Sequence, residues 1–254
     1  MHPGLPPVLF LLVLVPASTD PAFGQSDSLL LDPDEFTVQL VDHRDATAPI
    51  TAYEPLNPAL GGDSVRRCGT VPCSGWLEDR YADGSLLHRG SYAQGRLTAY
   101  SNFRSSGLLE RSFELLENGA GELALYDGSG VLRSKVAYVR GDPFHIRDFY
   151  PNGQLRFEEI KHPSDPYSVL IDLFEHDGTP IRTTRVIDPV NATIEYKEYW
   201  ANGRLRMEGC SRFDPRKFKP ERVGEWRSYA DSGMLISTTA YVEGKPQQVA
   251  LVVR

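Results

Sequence analysis

Three cysteines, six histidines and a set of acidic turn residues are the groups in this chain with the chemistry to bind or react. Cys68 and Cys73 stand five positions apart, while Cys210 is remote from both. In an oxidising compartment the first two can close a small loop; in a reducing one all three stay free thiols, and the sequence leaves both outcomes open. A zinc site needs a fourth ligand nearby, and none is evident. His2, His43, His88, His145, His162 and His176 are scattered rather than grouped at a metal-binding or catalytic interval. Solvated or sheet-packed roles are therefore expected for them. Asp83, Asp127, Asp177 and Asp231 recur in turn-like contexts. They suit hydrogen bonding to their own backbone, and the competing reading is a row of weak divalent-cation sites.

Catalytic patterns are missing. The chain has no His-Glu-x-x-His, no Gly-x-Ser-x-Gly, no phosphate-binding Gly-x-x-x-x-Gly-Lys-Ser/Thr and no calcium-loop motif. Asp127-Gly-Ser-Gly130 is loosely reminiscent of a nucleophile or metal loop, but it falls in a hairpin register that explains it. The expectation is a non-enzymatic protein without cofactor or metal.

The elements that would have to position any such group are short and repeated. Seven segments align on a glycine that follows an aromatic residue: Gly84, Gly107, Gly130, Gly153, Gly178, Gly203 and Gly233. Their spacings are 23, 23, 23, 25, 25 and 30 residues, so a common unit carries later loop insertions. A leucine stands two positions after the glycine in six of them, and Pro180 with Ile181 replaces it in the other. Asp83-Gly84, Asn152-Gly153 and Asn202-Gly203 are dipeptides that favour two-residue type I′ hairpin loops. That geometry sets Tyr81 opposite Leu86, Tyr150 opposite Leu155 and Trp200 opposite Leu205. The other copies have one more residue and suit three-residue loops, with Phe103 facing Leu109, Tyr126 facing Leu132 and Tyr229 facing Leu235. Such cross-strand pairs contribute about 0.2–1 kcal/mol each beyond burial.

A second turn follows about 11 residues later, at Tyr92-Ala-Gln-Gly95, Tyr138-Val-Arg-Gly141 and Tyr241-Val-Glu-Gly244, with Asn118-Gly119 a looser version. The predicted fold is all-β: an elongated antiparallel meander of about seven hairpin repeats in a single curved or twisted sheet. The aromatic stripe is expected on the packed face, with a sugar- or peptide-binding ladder as the rival reading. Arg96, Arg133, Arg156, Arg182 and Arg206 are assigned to an opposite, solvated face.

The repeats resemble the MORN family in its second, bacterial variant, with Tyr150-Pro-Asn-Gly153-Gln-Leu155 and Trp200-Ala-Asn-Gly203-Arg-Leu205 the nearest to its pattern. Gly75-Trp76 and Gly224-Glu-Trp226 match the family's Gly-x-Trp lead-in, the first without the spacer. The resemblance spans about residues 75–246. It implies a hairpin-repeat sheet; among relatives it is associated with antitoxin labels, and in eukaryotes with membrane attachment or scaffolding.

The termini complete the division. Residues 1–24 read as a signal peptide, with the apolar run 8–15 too short to span a bilayer and Ala22-Phe23-Gly24 at cleavage spacing. Residues 25–66 read as a lead strand (35–41) and a Pro/Ala/Gly-rich linker, 67–246 as the repeat domain and 247–254 as a closing edge strand. The net charge of −7 and pI near 5.4, without a basic block, exclude a nucleic-acid partner and disfavour anionic membranes. The expected protein is an exported, periplasmic or extracellular scaffold for a protein partner. A toxin-neutralising immunity protein and a membrane-surface-associated protein are the alternatives.

Overall fold

A computed structural model describes residues 53–116 and 120–251. The signal-like run, the lead strand 35–41, the Asn118-Gly119 turn and the last three residues lie outside the described residues. Two small strands come first, β1 (Arg67–Cys68) and β2 (Val71–Pro72), paired with each other. From Gly75 onward the described chain is one antiparallel meander. Its first half holds β3 (Gly75–Arg80), β4 (Leu86–Ala93), β5 (Arg96–Phe103), β6 (Leu109–Leu115), β7 (Gly121–Tyr126), β8 (Leu132–Val139) and β9 (Asp142–Phe149). Its second half holds β10 (Leu155–Lys161), β11 (Ser168–Phe174), β12 (Pro180–Asp188), β13 (Thr193–Tyr199), β14 (Leu205–Asp214), β15 (Lys219–Tyr229), β16 (Leu235–Val242) and β17 (Lys245–Leu251). Each strand pairs with its sequence neighbours, giving one open 15-stranded sheet with β3 and β17 at its edges.

Alternation in the strands sets the two faces. In β4, His88, Gly90 and Tyr92 are buried while Arg89 is exposed. The main core forms on that face, where Tyr92, Leu97, Tyr100, Phe113 and Leu123 pack together. Tyr100 and Phe113 stack across β5 and β6 with ring centroids 5.8 Å apart. The cover is not a second sheet. The segment from Tyr53 to Gly62, expected to be linker, makes two 3-10 turns at Glu54–Leu56 and Pro58–Leu60 and lays Tyr53, Leu56, Ala59 and Leu60 on the core. Its Pro and Gly residues are turn chemistry within a packed strap: Asn57 caps the second turn by accepting from the Ala59 amide, and Gly61 ends it at φ +82°.

All seven repeat turns are alike, which corrects the expectation of two loop classes. In every copy the glycine amide donates to the carbonyl three residues back, as from Gly84 to Tyr81, Gly107 to Arg104 and Gly153 to Tyr150. The glycines are left-handed, and Asp83, Asn152 and Asn202 are not. This is a type I turn followed by a left-handed glycine, a three-residue loop. The residue before the glycine helps close it: Asp83, Asn152, Asp177 and Asn202 each accept, through Oδ1, the amide two positions on. The left-handed residue pairs of type I′ loops occur at the opposite edge, at Gln94-Gly95, Arg140-Gly141 and Glu243-Gly244.

The partners of three leucines shift accordingly. Leu86 faces Arg80, Leu155 faces Phe149 and Leu205 faces Tyr199, so Tyr81, Tyr150 and Trp200 are not the opposing rings. Phe103 faces Leu109, Tyr126 faces Leu132 and Tyr229 faces Leu235. In each repeat the register slips by one residue just beyond this pair, at Leu87, Glu110, Arg133, Arg156, Ile181, Arg206 and Ile236. Such bulges increase local twist.

The displaced aromatics have another role. Tyr81 Oη donates to the Phe103 carbonyl at 2.8 Å, Tyr150 Oη to the Phe174 carbonyl at 2.9 Å and Trp200 Nε1 to the Tyr229 carbonyl at 3.0 Å. Each latches one repeat to the strand end of the next. Arg133 Nε makes the equivalent contact to the Phe149 carbonyl at 3.2 Å.

Candidate functional site

The densest set of polar side chains lies under the strap. His88 and Asn102, neighbours across β4 and β5, are both fully buried. His88 Nδ1 lies 2.6 Å from Asn102 Oδ1, and its Nε2 lies 2.9 Å from Tyr92 Oη. Arg66 forks onto Asp79 at 2.8 and 2.7 Å and donates to Tyr92 Oη at 3.0 Å. Tyr53 donates to Asp79 at 2.6 Å while its ring lies on His88. Burial pushes the His88 imidazole below its ordinary pKa, against smaller raising effects from Asn102 and Asp79. Burial alone would raise the Asp79 carboxyl, but the bonds from Arg66 and Tyr53 and the guanidinium charge outweigh it and hold it low.

The bonds made by Tyr53 and Arg66 tie the strap and its adjoining loop to the sheet, while those of His88 join β4 to β5 and to its own Tyr92. The Sγ atoms of Cys68 and Cys73 are joined in a disulfide with Cα atoms 5.0 Å apart. The Cys73 amide donates to the Arg66 carbonyl, and Gly95 donates to the Cys73 carbonyl. The bridge thus holds the loop that delivers Arg66. The arrangement is a clamp. Its imidazole is sealed beneath Tyr53, out of reach of a substrate.

The other reactive groups are dispersed. Burial pushes the free Cys210 thiol up, which lowers its thiolate fraction and its nucleophilicity. Burial also raises Asp148 and Asp172. Asp148 sits in register with Phe157 and Leu173, whereas Asp172 precedes Leu173 and so points to the opposite face. The two acids therefore cannot act on one substrate. His145 pairs with Glu158 at 2.7 Å, and His162 Nδ1 accepts the Asp165 amide at 3.0 Å within its own turn. Among Asp83, Asp127 and Asp177, hydrogen bonds from the turn itself hold each carboxyl below the usual range, to Ser85, Val131 and Thr179 respectively. Those bonds occupy the acidic edge, and among the described residues no group of three His, Cys, Asp or Glu is placed to hold a metal ion.

The two turn edges differ in apolar exposure, a contrast that sequence reading missed. Leu115, Leu116, Val139, Ile187, Val190, Phe218 and Val242 are exposed at or beside the turns of the edge carrying Gly95, Gly141 and Gly244. The repeat-glycine edge exposes only Leu108 and Met234 of that size among the described residues. Val190 is 93% exposed and Phe218 65%, both at turn tips. Successive turns on one edge are two strands apart, about 10 Å. The result is a broken apolar ridge along the sheet. The signal was present in the turn sequences, but only the meander puts these tips on one side.

No protein-family model matches the chain, and no curated protein matches it. Solved structures give distant likenesses. The TcdB2-TccC3-Cdc42 complex aligns at TM-score 0.25 and 11% identity over 65% of this chain and 12% of that one. TarM aligns at TM-score 0.19 and 8% identity over 58% of this chain and 21% of its own length. A GtfA/B complex bound to UDP and GlcNAc aligns at 0.16 and 15% identity, over 65% and 31%. The chain thus spans less than a third of each of these proteins, and at these scores the likeness carries no functional argument.

Proposed function

We propose that this protein is a non-enzymatic scaffold that docks a protein partner along the apolar turn edge. The observation that carries the reading is the asymmetry between the edges: seven large apolar side chains stand exposed at one and two at the other. Large exposed apolar stretches rimmed by charge mark interaction sites more often than they mark idle surface. The MORN resemblance of the repeats supports the same role. Export to a periplasmic or extracellular compartment is part of the proposal, supported by the Cys68–Cys73 bridge, since such bonds persist where the surroundings oxidise.

The test uses the purified chain as bait in extracts of its native cells. One variant carries Val190→Asp, Phe218→Asp and Val242→Asp; a control carries Leu108→Asp and Met234→Asp. The expected result is a partner captured by the wild type and the control and lost by the triple variant. Capture indifferent to the triple change, or no partner at all, would sink the reading.

A further inference from the structure

On the face opposite the strap, one row of side chains crosses the sheet in register: Arg89, Ser101, Ser112, Ala124, Lys135 and Arg147 on β4 to β9. It continues with Glu158 and Asp172. Long charged side chains occupy the row except at β5, β6 and β7, where three small residues fall side by side. Ala99, two residues before Ser101 on the same face of β5, lengthens this low floor along the strand. The gap is a trough of about 440 Å³. Trp76 bounds it on one side, 61% exposed, with the Arg89 guanidinium 5.4 Å from its ring. Tyr126 bounds another side. Glu114 and Glu122, directly opposite each other on β6 and β7, close one end.

We infer that this trough is a binding site for a neutral oligosaccharide. The chemistry of the walls selects the class. An indole exposed beside a flat floor offers a platform for the apolar C–H face of a pyranose ring. The serine hydroxyls and the Glu114 carboxylate offer partners for sugar hydroxyls. Anions are disfavoured, because two carboxylates meet at one end and the Lys135 ammonium is already held by Glu122 at 2.6 Å. Arg147 approaches the same carboxylate at 3.0 Å. An extended peptide is also disfavoured. The floor is sheet interior, where neighbouring strands consume the backbone donors and acceptors that strand addition needs. This site is separate from the docking edge and stands or falls without it.

The experiment is calorimetric titration of the wild-type chain with cellotetraose, chitotetraose, maltotetraose and mannotetraose, with pentalysine as a peptide probe. At least one sugar is expected to bind with a dissociation constant of about 1 mM or tighter. Trp76→Ala and the floor-filling Ser112→Leu should each weaken it by about tenfold or more, with unchanged circular dichroism, while Val190→Asp leaves it unaltered. Silence from all four sugars on the wild type would overturn the inference. So would sugar binding indifferent to both trough variants. Pentalysine binding that depends on Trp76 in the absence of any sugar response would replace it with recognition of a cationic peptide.

Discussion

The Tyr53 ring lies flat on the His88 imidazole, centroids 3.7 Å apart and planes within 5° of parallel. The stack seals a neutral histidine into the junction between strap and sheet. The groups facing it are Tyr53 from the strap, Arg66 from the adjoining loop, Asp79 from β3, Tyr92 from its own strand, and Asn102 and Tyr100 from β5. The folded pKa is depressed, so below about pH 6.5 the unfolded chain takes up a proton that the folded chain does not. Stability therefore falls as pH drops through that range. Asp79 adds a loss lower down, since its depressed carboxyl contributes above about pH 4 and ceases to as pH falls through the folded value. Urea midpoints measured from about pH 7 to about pH 5 should decline in the wild type and decline less in His88→Gln. Equal slopes in the two proteins would show that His88 does not titrate with unfolding.

The bridge near Arg66 makes a second, independent claim on stability. The loop it closes is short, with Cys68 and Cys73 separated by 5. Chain-entropy reasoning for a loop of that size gives about 2 kcal/mol. Cys68→Ser, made at the exposed partner so that buried Cys73 is undisturbed, should lower stability by about that amount. Adding a reductant to the wild type should reproduce the loss, and adding it to the variant should change nothing further. A wild type insensitive to reductant would mean that the strap stays seated without the bond.

Much of this architecture is legible in the sequence, and the failures have physical causes. Glycine recurrence at 23 residues finds the hairpins, because a left-handed position strongly selects for glycine. The aromatic–leucine spacing misleads at Tyr81, Tyr150 and Trp200. The Asn-Gly and Asp-Gly signals suit either a type I′ loop or a type I turn with a left-handed glycine. The bulges at Leu87, Arg133 and their equivalents also escape notice. Each displaces the register by one residue without altering the alternation on either side. The strap was hidden differently: its Pro and Gly content is linker-like, and only Tyr53 and Leu60 against the core show that it packs. The trough needs three small residues to coincide across three strands, a relation that depends on register alone.

Turn chemistry gives a paired test. Gly153 has φ +84°, and a Cβ built there meets nothing within 4 Å, so replacing it probes backbone conformation without a clash. Gly153→Ala should cost about 1–2 kcal/mol, and Gly153→Asn less, because asparagine tolerates the left-handed region. Arg140 has φ +56° at the first position of a type I′ turn, where a long side chain is a poor choice. Arg140→Asn should therefore raise stability. Chemical denaturation reads both changes, and a neutral Gly153→Ala would contradict the turn geometry.

The latch from Tyr150 to the Phe174 carbonyl separates ring packing from hydrogen bonding. Tyr150→Phe keeps the ring and removes only the 2.9 Å bond, so the expected loss is about 0.5–1.5 kcal/mol. Tyr81→Phe removes the matching 2.8 Å bond to the Phe103 carbonyl and should cost a similar amount. These latches sit three repeats apart, and their acceptor carbonyls, Phe103 and Phe174, lie on different strands. In a sheet built by neighbour-to-neighbour contacts, the two losses should add to within about 0.5 kcal/mol in the double variant. Denaturation of the four proteins at one pH completes the cycle. A double variant no weaker than either single one would show that the latches do not join successive repeats independently, and that stability is set by one part of the sheet while the rest follows it.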